Sequence, residues 1–253
     1  MKYLAKIRYL GTHFSGFQVQ PNARTVQGEL TRVMSELFGS PCKVTGCSRT
    51  DSGVHANEYV IVVDAPGATV PPERLPLAAS RFLPNDISLF YAIECPDSFH
   101  PRYDTVSKEY VYRIINKPTK DPFEVDRAWF ISRPIDENSV SLMQSAAKHF
   151  IGKHDFSAFM SEGSDVADTV RTVFDLSVNK SGDLIEIRIS ADGFLYNMVR
   201  IIVGTLVDVA FDRIAPDSIA DIISSGNRSL AGITAPPDGL YLNHVNYKLP
   251  NLQ

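Results

Sequence analysis

Cysteine is scarce, with three residues, Cys42, Cys47 and Cys95, and no C-x-x-C pair among them. That odd count excludes a disulfide framework and a cysteine-built zinc site, and the expectation is three buried thiols. Long apolar runs are lacking as well. No stretch reaches the roughly 20 residues a membrane helix requires, and Lys2 and Lys6 interrupt any apolar block of signal type, so a cytoplasmic address is expected. The six histidines show neither H-E-x-x-H nor H-x-E with P-C-x-x-C, and no dedicated metal site is expected. The phosphate cradles G-x-x-x-x-G-K-[ST] and strand-linked G-x-G-x-x-G are missing, which points away from ATP and dinucleotide enzymes and to chemistry by side chains with no cofactor. A basic excess is lacking too: the formal net charge is −4. That argues against an indiscriminate nucleic-acid binder while leaving room for a locally basic cleft.

What is present is a globular composition of 253 residues, 44% hydrophobic and 21% charged, enough for one large domain or two small ones. Lys2 to Leu10 alternates as a strand. Val26, Leu30, Val33, Met34 and Leu37 then fall at helical spacing, with Thr25 as N-cap and Gly39 as stop. Strands are expected over Lys43 to Cys47 and Val54 to Asp64, around a tight connection at Arg49 to Gly53. A short helix at Glu73 to Phe82 and a strand at Ile87 to Glu94 complete β-α-β-β-α-β. The order then roughly repeats. A strand at Val106 to Asn116, a helix at Asn138 to Phe150 and a hairpin around Ser181-Gly182-Asp183 precede a long apolar helix at Phe194 to Phe211. A short helix at Asp217 to Ser224 and a strand at Leu240 to Tyr247 close the chain. The reading is therefore α+β: two ferredoxin-like or RRM-like halves, 1–103 and 104–253, with antiparallel sheets side by side and helices on one face.

The densest polar island between apolar strands is Gly46 to Ala56, G-C-S-R-T-D-S-G-V-H-A. Read as a turn, Asp51 makes an Asx turn and Gly53 supplies positive φ. Arg49 stands two residues before Asp51, so an extended backbone projects both to one face, where a guanidinium can hold a phosphate beside an ionised carboxylate.

This R-T-D-x-G-V-H-A run resembles the signature of the tRNA pseudouridine synthase A family. Gly16 to Gln20, Thr25 to Leu30, Leu83 to Ile87, Phe99 to Arg102, Lys108 to Arg113, Asn197 to Gly204 and Gly239 to Leu242 resemble further family blocks in the same order. The likeness spans nearly the whole chain. It implies that Asp51 is the catalytic aspartate, acting as nucleophile or base, that Tyr110 packs against the target base, and that Arg200 pairs with Asp51. Arg49, Arg102, Tyr110 and Leu242 would contact substrate. The resemblance further implies a tRNA substrate modified in the anticodon stem and loop, a homodimer, and a catalytic cleft between the halves. Phe17, Cys47-Ser48, Ser52 and Tyr59 depart from the residues common in the family, which puts the local loop geometry in question.

The chemistry suits these residues. Pseudouridine formation cuts the N1–C1′ bond of uridine, turns the uracil and joins C5 to C1′, which needs an ionised carboxylate at the ribose and a held base. A guanidinium favours the ionised acid where desolvation opposes it. Arg200 lies on a helix apolar enough to be buried, where a cation needs a partner. Candidate RNA-facing cations are Arg24, Arg81, Arg102, Lys108, Lys117 and Lys120. Two other readings compete. A catalytically inert RNA-binding module would show an RNP1-like run, which is missing. A carboxylate hydrolase would need a second acid, for which Glu58 is the nearest in sequence.

Overall fold

The computed structural model describes residues 1–163 and 166–249. The chain divides into two compact units: Met1–Val106 together with the segment from Tyr241 onward, and Ser107–Leu240. Both are α+β.

In the first unit the order is β1 (Lys2–Tyr9), α1 (Val26–Phe38), β2 (Lys43–Gly46), β3 (His55–Asp64), α2 (Leu75–Ala79) and β4 (Ile87–Glu94). Strand β1 lies antiparallel between β3 and β4, with Ala5 opposite both Ile61 and Ala92. Helix α1 forms where the apolar spacing places it. The Gly28 N–H donates to Thr25 Oγ1 at 3.3 Å, and Gly39 ends the helix in the left-handed region at φ 64°. Its buried stripe is Val26, Leu30, Val33 and Met34.

The tight hairpin expected at Arg49 to Gly53 is not what forms. Ladder pairing of β2 with β3 runs from Lys43 opposite Asp64 to Gly46 opposite Ile61, and a single Cys47 N–H to Val60 carbonyl bond extends it. The chain then leaves the sheet and re-enters at His55, because Ser48 to Gly53 find hydrogen bonds outside the β2–β3 ladder. The expected helix at Glu73 to Phe82 is a 3₁₀ turn, Pro72–Arg74, followed by the five residues of α2.

The second unit contains β5 (Thr105–Asn116), whose first two residues belong to the first unit, then β6 (Trp129–Ile131), α3 (Glu137–Lys148), β7 (Gly152–Asp155), β8 (Val170–Ser181), β9 (Leu184–Ala191), α4 (Met198–Ala210) and α5 (Ile219–Ser225). Strands β5, β9, β8 and β7 are successive antiparallel neighbours, and β6 pairs parallel with the end of β5. Gly182, at φ 59°, turns the β8–β9 hairpin. The long helix expected from Phe194 starts only at Met198, because Asn197 sits in the left-handed region at φ 59°, where a helix cannot pass through it. From there the helix is buried almost throughout.

Strand β10 (Leu240–Tyr247) returns to the first unit, where Tyr241 and Leu242 pair parallel with His55 and Ala56. One edge of β3 is thus shared, β2 at its far end and β10 at the start, next to the polar loop. The three cysteines are buried and none is in a disulfide. Among the described residues no helix is long and apolar enough to cross a membrane.

Candidate active site

The loop from Cys47 to Val54 is fixed from two sides. On one side lies the segment between β1 and α1. Phe17 N–H donates to the Thr50 carbonyl at 3.1 Å, and the Gly53 N–H and Ser52 hydroxyl both donate to the Phe14 carbonyl at 3.4 and 3.2 Å. Two glycines let this segment approach. A Cβ on Gly11 would lie 2.0 Å from the Val54 carbonyl oxygen, and one on Gly16, whose φ is +79°, would lie 2.7 Å from that of Thr50. The Gly11 N–H donates to Nδ1 of His55 at 2.9 Å, and the buried His55 ring stacks on Tyr241 at 4.6 Å. On the other side lies β3. The Tyr59 hydroxyl donates to the Ser48 carbonyl and accepts the Ser48 N–H at 3.1 Å, while the Tyr59 ring stacks on Phe17 at 4.4 Å. The Tyr9 and Thr50 hydroxyls share a hydrogen bond of 2.8 Å.

Ser48, Thr50, Ser52 and Gly53 around Asp51 are therefore held by backbone or side chain; Asp51 is half-buried and Arg49 is exposed. The expected positive φ at Gly53 is present, at 81°. The Val54 N–H to Asp51 carbonyl bond of 3.2 Å closes the turn through the main chain.

In the second unit, Tyr110 lies on β5 opposite Ile189, buried, with its ring edge-on to Phe194 at 5.1 Å. Two residues on and on the same face, the buried Tyr112 donates its phenol proton to the Pro236 carbonyl at 2.7 Å. Burial pushes the Tyr112 phenol far above tyrosine's usual range, and the positive charge of Arg200 opposes that rise.

Arg200 sits in the first turn of α4. Its Nε donates to the Ala235 carbonyl at 2.7 Å and its Nη1 to Asn197 Oδ1 at 2.7 Å, and the Ala235 N–H donates back to the Arg200 carbonyl at 3.1 Å. Asn197 Nδ2 in turn donates to Ser161 Oγ at 2.9 Å. The guanidinium plane is thus fixed by two acceptors lying on opposite sides of α4's first residue in sequence, 235 and 197.

The other candidates are dispersed. Arg102 is exposed on the loop between β4 and β5, and Leu242 is fully buried in β10 beside Ala56. Glu58, on β3, is engaged by Lys6 at 3.1 Å and by His244 Nδ1 at 2.8 Å. Two of the candidate RNA-facing cations are held in ion pairs. Arg24 makes two bonds to Asp86, at 2.7 and 3.1 Å, a longer one to Glu29, and covers the Phe14 ring at 4.1 Å. The Asp86 bond raises its pKa further. Lys117 pairs with Asp121 at 2.9 Å. Sequence reasoning missed the bracing set of Tyr9, Gly11, Phe14 and His55; only the H in D-x-G-V-H hinted at it.

Comparison with known proteins gives this arrangement its class. A family model described as tRNA pseudouridine synthase matches residues 5–104 and 146–248. A tRNA pseudouridine synthase A from Thermoanaerobacter sp. (strain X514) is 44% identical over 241 residues, covering 95% of this chain and 97% of that protein. One from Bacillus subtilis (strain 168) is 42% identical over 249 residues, covering 98% and 99%. A solved structure described as a Cbf5-Nop10-Gar1 complex aligns at a TM-score of 0.39 and 13% identity, over 95% of this chain and 49% of that one. The chain belongs to the tRNA pseudouridine synthase family and is an isomerase acting on uridines of tRNA.

Proposed function

We propose that the chain converts uridine to pseudouridine in the anticodon stem and loop of tRNA, with Asp51 as the essential acid and no cofactor, as a cytoplasmic homodimer. The observation that carries this reading is the treatment of Asp51. The loop around it is tied at Ser48, Thr50, Ser52 and Gly53 to two flanking segments, and Asp51 itself is half-buried, two residues after the exposed Arg49.

The ionised Asp51 either attacks C1′ or removes the proton at C2′, and the N1–C1′ bond breaks with its electron pair leaving on the uracil. The base turns while it is still held. C5 then bonds to C1′, the C5 proton leaves, N1 gains a proton, and nothing is consumed. Tyr110 contributes a ring against the base, and its phenol is a candidate acceptor for the C5 proton. Arg200 pairs with Asp51 and favours its ionised form; its two fixed hydrogen bonds support that role by pre-setting the guanidinium plane. Arg49 and Arg102, both exposed, contact the RNA, and Leu242 on β10 completes the substrate-contacting set.

The deciding experiment incubates the protein with unmodified tRNA and maps pseudouridine in the product. The expected result is modification confined to the anticodon stem and loop, abolished by Asp51→Ala. Pseudouridine elsewhere in the tRNA, or full turnover by Asp51→Ala, overturns the reading.

A further inference from the structure

Tyr103 has no part in the chemistry above, yet the residue is 77% exposed on a loop that is anything but loose. The His100 N–H donates to Asp104 Oδ2 at 2.7 Å, the Asp104 N–H to the His100 carbonyl at 3.1 Å, and the Arg102 N–H to His100 Nδ1 at 3.2 Å. The Pro101 carbonyl accepts two hydroxyls, Thr105 at 3.0 Å and the buried Tyr247 at 2.6 Å. Phe99 packs edge-on against Tyr247 at 5.1 Å, which anchors the loop's start in the core.

The His100 ring lies against the Tyr103 ring at 4.3 Å with 30° between planes. A single exposed tyrosine is ordinary. A tyrosine backed by an imidazole on a hydrogen-bonded loop, directly after the exposed Arg102 in sequence, is different. It offers an aromatic face whose ordering cost has been met before any ligand arrives. A flat π-face flanked by a cation is the pairing that takes up an unstacked nucleobase and its phosphate.

We propose that Tyr103, supported by His100, is a stacking platform for an unpaired nucleobase of the RNA substrate other than the target uridine, with Arg102 against the adjoining phosphate. The inference rests on the tRNA reading given above. The platform adds affinity without base identity, since every base has a π-face.

Binding of unmodified tRNA by the full-length chain carrying Asp51→Ala isolates affinity from turnover. Adding Tyr103→Ala should weaken binding about 5- to 150-fold, the range for one base stacked on an aromatic ring. Tyr103→Phe should stay within about two-fold, and the slope of log Kd against log salt should not move, because no phosphate contact is lost. In the active enzyme Tyr103→Ala should raise KM and leave kcat unchanged. An unchanged Kd for Tyr103→Ala, an equal loss for Tyr103→Phe, or a change of oligomeric state on sedimentation each overturns the platform. A parent chain that binds no tRNA overturns the underlying reading itself, and the arm without the Tyr103 substitution shows which has failed.

Discussion

Tyr59 shows how one side chain sets the geometry of a loop it does not belong to. Its hydroxyl meets both the N–H and the carbonyl of Ser48, three residues before Asp51, and its ring is held by Phe17. Phe17, Ser48 and Tyr59 are among the residues expected to depart from those common in the family, and here Tyr59 touches both of the others. These three form one contact set centred on Tyr59, while Ser52 bonds separately to the Phe14 carbonyl. Tyr59→Phe keeps the ring stack and strands the Ser48 backbone groups, so unfolding by urea should show a loss of about 1–3 kcal/mol. Turnover should fall beyond what that loss explains. Equal stability of the two proteins would mean that the hydroxyl does not hold the loop. At this scale the sequence was legible where chemistry is local: the positive φ of Gly53 and the cap at Thr25 could be assigned from their neighbours. The pairs Tyr59–Ser48, Tyr9–Thr50 and Gly11–His55 join residues too distant in sequence for any pattern to connect.

Elements were readable to the extent that one periodicity governs them. Strand β4 and strand β10 have the bounds their alternation predicts, and α1 has its predicted caps. Where a single residue overrides the pattern, the reading slipped. The apolar run from Phe194 looks helical, but Asn197 adopts positive φ and spends its side chain on Ser161 and Arg200. Short strands such as β6 and β7 carry too few residues to show alternation. Helix α3 offers a test of local capping. Asp136 Oδ1 accepts the Ser139 N–H at 2.8 Å, and that bond holds the Asp136 carboxyl below the usual range. A carboxyl with a lowered folded-state pKa stabilises above its unfolded value and loses that contribution as pH falls through the folded one. Asp136→Ala should therefore melt below the parent at pH 7, and the gap should narrow as pH drops below about 4. A gap that is constant with pH would assign the difference to helix propensity and not to the charged cap.

For the molecule as a whole, the division into units could not be read from chain order, because the last strand goes back to pair with β3 and belongs to the first unit. The net charge of −4 raises a second whole-molecule question, namely how an acidic protein holds a polyanion. The ion pairs give part of the answer by separating cations with structural partners from those facing solvent. Arg24 is committed to Asp86, Glu29 and the Phe14 ring, and so braces the segment that carries the Asp51 loop. Arg81 and Arg102 are exposed. Salt dependence distinguishes these roles, since each phosphate contact releases counterions and steepens the slope of log Kd against log salt. Arg102→Gln and Arg81→Gln should each weaken tRNA binding and flatten that slope by roughly one unit. Arg24→Gln should lower the melting temperature and impair turnover while leaving the slope where it was. Should Arg24→Gln flatten the slope as much as the other two, its carboxylate partners give way to RNA in the complex, and its place among the bracing residues would have to be withdrawn.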